Sequence, residues 1–193
     1  MKGIGLVGAV AVTEEHGYAF ENVAGTSAGA TVAALIAAGY TAEQLKDILE
    51  HLDYQQFKDR GLLDRIPALG PVCSLVFEKG LYEGTFVEPW LRDLLAHAPQ
   101  QPIRTFRDLR TADEDPRYRD TLQVIAADIT RGKLLVLPRD IADYGLDPDA
   151  LDVALAVRMS MSLPWFYEPV LLKDTTGQSC DIVDGGVLSN YPV

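Results

Sequence analysis

Apolar and polar positions along the N-terminal part of this chain predict helices and short strands in turn. The apolar positions of 4–11 recur at helical spacing and predict a first helix that ends near Gly17. Residues 20–24 predict a short strand, and the alanine-rich stretch 28–38 predicts a helix that Gly39 stops. Its small side chains would allow this helix to pack closely against a sheet.

Two further helix starts carry sequence signatures. Thr41 and Gln44 stand at the first and last positions of a capping box, which predicts that a helix begins after Thr41. A second box at 85–88 predicts a helix that runs toward His97, with Pro89 in its first turn, where proline is tolerated.

The C-terminal half predicts one more helix and four strands. The helix starts at Asp147 and Pro148 and runs to about Met159, with proline at its first position. The predicted strands are 121–128, 133–138, 165–172 and 180–186. Because strands that alternate with helices are typical of α/β proteins, we expect a three-layer α/β/α sandwich.

Length and charge narrow the class of protein. A chain of 193 residues with 48% hydrophobic residues fits one globular domain with a substantial core. The net charge of −11 argues against nucleic-acid partners and against electrostatic docking on anionic lipid. With no signal peptide or membrane-spanning run recognised, we expect a cytoplasmic protein. Any contact with membranes would have to be apolar, and we expect it to be transient.

The most informative short motif is Gly-x-Ser-x-Gly, formed by Gly25, Ser27 and Gly29. This spacing is typical of the nucleophile elbow, in which a sharp turn between a strand and a helix exposes a serine hydroxyl. The helix N-terminus would stabilise negative charge, and the N–H of Ala28 would donate to an oxyanion. The alternative is a structural turn in which Ser27 only caps the helix.

A serine nucleophile needs a base, and the sequence favours a carboxylate over an imidazole. His16, His51 and His97 all fall near predicted helix ends, where solvated histidines are common. Asp184 ends a predicted strand and precedes Gly185 and Gly186, which permit a close backbone approach. The alternative for Asp184 is an ordinary Asp-Gly turn.

Together these motifs resemble the patatin-like phospholipases, serine acyl hydrolases that use a Ser–Asp dyad. Ser27 matches the family's nucleophile and Asp184 its acid, with Gly185 and Gly186 completing the Asp-Gly-Gly motif. The segment 157–170 is similar to the one that precedes this motif in the family. The resemblance spans nearly the whole chain and implies a lysophospholipase-like α/β fold, fatty-acyl ester or phospholipid substrates, and neither a cofactor nor a metal.

One part of the family pattern is missing. The family's glycine-rich oxyanion loop is matched here only by Lys2 and Gly3 at its tail. We therefore expect residues 1–193 to form a single patatin-like domain that is incomplete at the N-terminus, where the first strand and this loop are missing, with reduced activity and solubility. The abrupt end at Val193, nine residues after Asp184, leaves the same interpretation open for the C-terminus.

Other interpretations stay open at this point. Met161, Leu163, Trp165 and Phe166 are candidates for an acyl pocket, although an apolar run entering a strand is more typical of core. A Ser–His acyltransferase would require a histidine at a strand end in the C-terminal half, and none follows His97. An impaired relative that binds lipid or protein is the remaining competitor. The sequence does not name the substrate or the oligomeric state.

Overall fold

The structure, a computed structural model, describes residues 3–52, 86–113, 115, 118–164 and 167–189. Its α-helices are α1 (Gly3–Glu15), α2 (Ala28–Ala37), α3 (Ala42–Glu50), α4 (Val87–Ala96) and α5 (Val153–Ser160). Its strands are β1 (Val23–Thr26), β2 (Leu122–Asp128), β3 (Lys133–Leu137), β4 (Val170–Lys173) and β5 (Ser179–Asp184).

The five strands form one mixed sheet centred on β2. Strand β1 runs parallel to β2, whereas β3 and β5 are antiparallel to it, and β4 extends the sheet beyond β5. Most side chains of β2 are fully buried, as a strand with neighbours along both edges and helices against it requires. The α/β class predicted from the sequence is confirmed.

Two helices pack directly on this sheet. Helix α2 contacts β1 and β2, helix α5 contacts β2 and β5, and the two helices touch each other, so they share one face. The alanines of α2 allow the close approach expected from the sequence, since Ala30 and Ala34 are wholly inaccessible. Helices α1 and α3 pack against one another beside α2, and α4 packs against α5.

Several local predictions are confirmed. The capping box of α3 is present: the Thr41 hydroxyl accepts a hydrogen bond from the Gln44 N–H, and the Gln44 side chain accepts one from the Thr41 N–H. Gly17 and Gly39 follow α1 and α2 with positive φ angles of 78° and 88°. Residue 85, the predicted cap of α4, lies outside the described residues.

The helix predicted to start at Asp147 was placed too early. Only a short 3-10 turn, Pro148–Ala150, forms there, and the chain is extended at Leu151 and Asp152. The Leu151 carbonyl accepts from the N–H of Phe106, so tertiary pairing holds this stretch out of the helix. Asp152 then caps α5, since its side chain accepts from the N–H of Leu155 at 3.0 Å.

Two strand boundaries also differ from the prediction. Strand β1 begins at Val23 rather than at 20, because its partner β2 starts at Leu122 and Phe20 is exposed. The strand predicted at 165–172 is confirmed from Val170 onward, and residues 165 and 166 lie outside the described residues. The hairpin predicted across 129–132 joins β2 and β3 as expected.

A buried charge lies at the end of β2. The Asp128 carboxylate is fully inaccessible and accepts hydrogen bonds from the Tyr144 hydroxyl at 2.7 Å and from Arg131 Nε at 2.8 Å. Burial alone would raise the pKa of Asp128, but these hydrogen bonds, with one from the Arg131 N–H, outweigh it and hold the pKa below its usual value. Burial and the bond to Asp128 raise the pKa of Tyr144.

None of the helices in the described part of the chain is both long enough and apolar enough to cross a lipid bilayer.

Candidate active site

Ser27 stands on a strained turn between β1 and α2. Its φ of 56° and ψ of −130° make it the one non-glycine residue with a positive φ among the described residues. Holding such a conformation typically costs about 1–3 kcal/mol, and strain of this kind clusters at functional sites. The local geometry is therefore that of the strained strand-to-helix turn that the motif predicts.

The first glycine of the motif makes this turn possible. A Cβ atom on Gly25 would lie 2.3 Å from the carbonyl oxygen of Gly29, closer than real Cβ contacts allow. A Cβ on Gly29 itself would meet nothing nearer than Leu6 Cδ1 at 3.9 Å. The motif thus needs its first glycine for backbone contact, whereas the structure gives the second no comparable constraint.

The Ser27 side chain does not act as a helix cap. It makes no capping hydrogen bond to α2, and the residue is only half-buried. The Ala28 N–H is at the first position of α2, where the helix itself offers it no acceptor. In this arrangement the Ser27 hydroxyl can attack a carbonyl carbon, and the Ala28 N–H can bind the oxyanion that results.

Asp184 ends β5 and is almost wholly buried, with 2% of its surface exposed. Its Oδ1 accepts from the Gly186 N–H at 2.8 Å, and its own N–H donates to the Ser162 carbonyl at 2.9 Å. A Cβ on Gly185 would lie 2.7 Å from the Ile125 carbonyl oxygen, so glycine is needed for this approach. The Asp-Gly turn that the sequence offered as an alternative is present, and it occupies only one carboxylate oxygen.

The strand register brings the end of β1, which precedes Ser27, next to the end of β5 at Asp184. Strand β1 pairs with residues 122–125 of β2 and β5 pairs with 126–128, while β3 pairs across 124–128 and so takes the opposite edge. Strands β1 and β5 therefore meet end to end along one edge. Thr26 pairs with Ile125 and Asp184 with Ala126, an offset of one residue rise, about 3.4 Å, along the strand.

No hydrogen bond joins the Ser27 hydroxyl to Asp184 in the described part of the chain. Catalytic hydrogen bonds are often long in enzymes without substrate and shorten only in the reacting complex, so this geometry does not exclude the pair.

The histidines lie on the surface, as expected. Each is exposed near the end of a helix, and each ring Nδ1 contacts the carbonyl oxygen four residues earlier; the residues are His16, His51 and His97. This arrangement ties each ring to its own helix.

The other candidate residues have different positions. Gly3 opens α1, whereas Lys2, Trp165 and Phe166 lie outside the described residues. Met161 is half-buried against the core, and its Sδ lies 3.3 Å from the Thr31 hydroxyl. Leu163 is 41% exposed. The part of the predicted acyl pocket that the structure describes is therefore divided between core and surface.

One buried residue beside the elbow was not predicted. Ser160, the last residue of α5, is fully inaccessible, and its hydroxyl lies between the backbones of Ser27 and Ile125. The only sequence signal was a polar residue within an apolar helix end, and its partners are distant in sequence.

Comparison with known proteins gives one family match and one sequence relative. The sequence model for the family described as "Patatin-like phospholipase" matches residues 1–193. The uncharacterized protein YqhO of Bacillus subtilis is 44% identical over 198 residues, a match that covers all of this chain and 62% of that protein. This chain therefore spans less than two thirds of that relative's length.

Two solved structures share the fold. VipD from Legionella pneumophila aligns with a TM-score of 0.59 and 18% identity, over all of this chain and 45% of its own. ExoU, solved in complex with SpcU from Pseudomonas aeruginosa, aligns with a TM-score of 0.52 and 23% identity, over 84% of this chain and 36% of its own.

Proposed function

Because this chain belongs to the patatin-like phospholipase family, we propose that it is a serine acyl hydrolase that cleaves fatty-acyl esters of lipids through Ser27 and Asp184. The register of the sheet carries this proposal, since β1 and β5 end at neighbouring positions on one edge of β2. The register supports the proposal because Ser27 directly follows the end of β1 and Asp184 is the last residue of β5.

The first half of the reaction forms an acyl-enzyme. Asp184 accepts the hydroxyl proton while Ser27 Oγ attacks the ester carbonyl, and the oxyanion binds the Ala28 N–H at the N-terminus of α2. As the intermediate collapses, the bond to the leaving alcohol or lysolipid breaks, and Asp184 returns the proton to that oxygen.

The second half releases the fatty acid. Asp184 accepts a proton from water as the water oxygen attacks the acyl carbon. The bond between that carbon and Ser27 Oγ then breaks, and Asp184 returns the proton to Oγ. Oδ2 of Asp184 suits the role of proton acceptor, because the hydrogen bond from Gly186 occupies Oδ1 and the described residues offer Oδ2 no donor.

Both competing functions have weaker support. A Ser–His acyltransferase needs an imidazole beside the elbow, whereas all three histidines are bound to carbonyls of their own helices on the surface. A binding module without activity would gain nothing from a strained Ser27 whose hydroxyl caps no helix, since the strain destabilises the fold.

The test compares Ser27→Ala and Asp184→Asn with Asp181→Asn. Asp181 lies on the same strand, so its variant makes the same change of charge three residues away. We expect a fluorophosphonate probe to label Ser27 in the parent chain and in the Asp181 variant. We expect both site variants to lose labelling and ester hydrolysis, the latter by about a thousandfold or more.

Labelling at another serine, or hydrolysis by Ser27→Ala at the parent rate, would reject the proposal. Parent-like labelling of Asp184→Asn would retain Ser27 as nucleophile and remove Asp184 as its base.

A further inference from the structure

Ser160 makes two hydrogen bonds that join separate parts of the fold. Its Oγ accepts from the backbone N–H of Ser27 at 2.9 Å and donates to the backbone carbonyl of Ile125 at 2.6 Å. The residue is fully inaccessible to solvent. A single hydroxyl therefore links the elbow, the end of α5 and the central strand.

The hydroxyl occupies the point at which β1 leaves the sheet. Thr26 is the last residue of β1 to pair, opposite Ile125, and the chain then turns at Ser27 with a positive φ. At this turn the Ser27 N–H and the Ile125 carbonyl both make a hydrogen bond to the Ser160 hydroxyl. The Ser160 hydroxyl supplies an acceptor to one group and a donor to the other, in a position that water cannot reach.

The segment that begins with Ser160 also contacts Asp184. The carbonyl of Ser162, two residues on, accepts the Asp184 N–H at 2.9 Å. The Thr31 hydroxyl of α2 meets Met161 Sδ at 3.3 Å, so the intervening residue contacts the helix that follows the elbow. The three residues 160–162 therefore touch both sides of the candidate site.

From these contacts we infer that Ser160 is a positioning residue that holds the Ser27 backbone in its reactive conformation. The inference rests on the function proposed above. The bond to Ser160 opposes relaxation of the elbow toward a more common backbone conformation. It also commits the Ser27 N–H, which leaves the Ala28 N–H as the elbow's oxyanion donor.

The test is Ser160→Ala, with Ser160→Thr to restore the hydroxyl and Tyr144→Phe as a control. The Tyr144 change also removes a buried hydroxyl, but one that bonds Asp128 at the end of β2. Rates are expressed per folded molecule, with the folded fraction measured by urea unfolding, and are followed by ester hydrolysis and by fluorophosphonate labelling of Ser27.

For Ser160→Ala we expect kcat and the labelling rate to fall roughly 10- to 100-fold, because a small misplacement of a reacting atom costs about this much. KM should change little, since Ser160 is buried beneath the elbow. Ser160→Thr should recover much of the lost rate, and Tyr144→Phe should keep the parent kcat despite its lower stability.

A parent-like kcat in Ser160→Ala would overturn the inference, as would a loss that disappears after correction for the folded fraction. An equal loss in Tyr144→Phe would also overturn it. Failure of the proposed function would be recognised separately. In that case Ser27→Ala would hydrolyse the ester at the parent rate, whatever the rates of the Ser160 variants.

Discussion

At the scale of single residues, the buried Asp128 carboxylate contributes stability that depends on its hydrogen-bond donors. It is fully buried, and hydrogen bonds from Tyr144 and Arg131 hold its pKa below the ordinary value. The folded state therefore binds a proton at Asp128 less readily than the unfolded state does. The resulting stabilisation is complete above the unfolded pKa of about 3.9 and is lost as the pH falls through the lower, folded value.

Tyr144→Phe tests this linkage. The change removes one donor to a buried charge and should lower the free energy of unfolding by about 1.5–3 kcal/mol at neutral pH. The difference from the parent should shrink at an acid pH that lies below the lowered, folded pKa of Asp128, because the protonated carboxyl depends less on its donors. Urea unfolding at both pH values measures it, with the exposed Tyr18→Phe as control. An equal difference at both pH values would contradict the linkage.

The sequence identified some individual residues and missed others for a physical reason. Ser27 lies within a local motif, and its strand-to-helix context is readable from its neighbours. Ser160 acts through Ser27 and Ile125, which lie 133 and 35 residues away, so no local pattern reports its role. The role of such a serine can be recognised only in the folded structure, where the sheet brings its two hydrogen-bond partners together.

At the scale of elements, the elbow depends on how closely α2 returns over β1. A Cβ atom on Gly25 would overlap the Gly29 carbonyl, whereas a Cβ on Gly29 would lie at ordinary contact distance from Leu6. The two glycines of one motif therefore have different structural requirements, although the sequence presents them alike.

Substitution by alanine should separate the two glycines. Gly25→Ala should destabilise the fold by at least about 1–3 kcal/mol, because its Cβ would overlap backbone atoms that cannot rotate away. Gly29→Ala should be neutral or stabilise by up to about 1 kcal/mol, because alanine is the better helix former. Thermal unfolding measures both changes. Similar midpoints for the two variants would show that the turn adjusts more easily than these contacts imply.

Boundaries of elements were predicted well where local contacts decide them. The capping box starts α3 at the predicted residue, because Thr41 and Gln44 satisfy each other's backbone. The start of α5 was missed, because the extended residues before it pair with 104–106 rather than with their own neighbours. Asp152 is a good N-cap residue, but Asp147 and Pro148 form an earlier helix-start pattern, and the prediction followed that pattern instead.

At the scale of the whole molecule, the net charge of −11 leads us to expect a weak electrostatic affinity for negatively charged lipid. Repulsion from an anionic membrane acts over the Debye length, about 30 Å at 0.01 M salt and about 8 Å at 0.15 M. We therefore expect any contact with lipid to come from apolar groups and to be weaker on negatively charged lipid.

Vesicles of different charge test this expectation. Hydrolysis of an acyl-ester substrate embedded in zwitterionic phosphatidylcholine should exceed hydrolysis of the same substrate in anionic vesicles at low salt. The difference should narrow as salt is added. A soluble short-chain ester serves as control, because its rate of hydrolysis should not depend on the charge of the lipid. Faster hydrolysis in anionic vesicles at low salt would indicate a local basic surface that overrides the net charge.

The meeting of β1 and β5 along one edge of β2 also bears on how this protein tolerates insertions and deletions. Two ladders, not the long chain between them, set the separation of Ser27 and Asp184. Surface loops can therefore lengthen or shorten without resetting it. One residue added between Ile125 and Ala126 would shift one ladder against the other and turn the following side chains to the opposite face. The stretch least able to change its length is thus a seven-residue strand that contains neither proposed catalytic group.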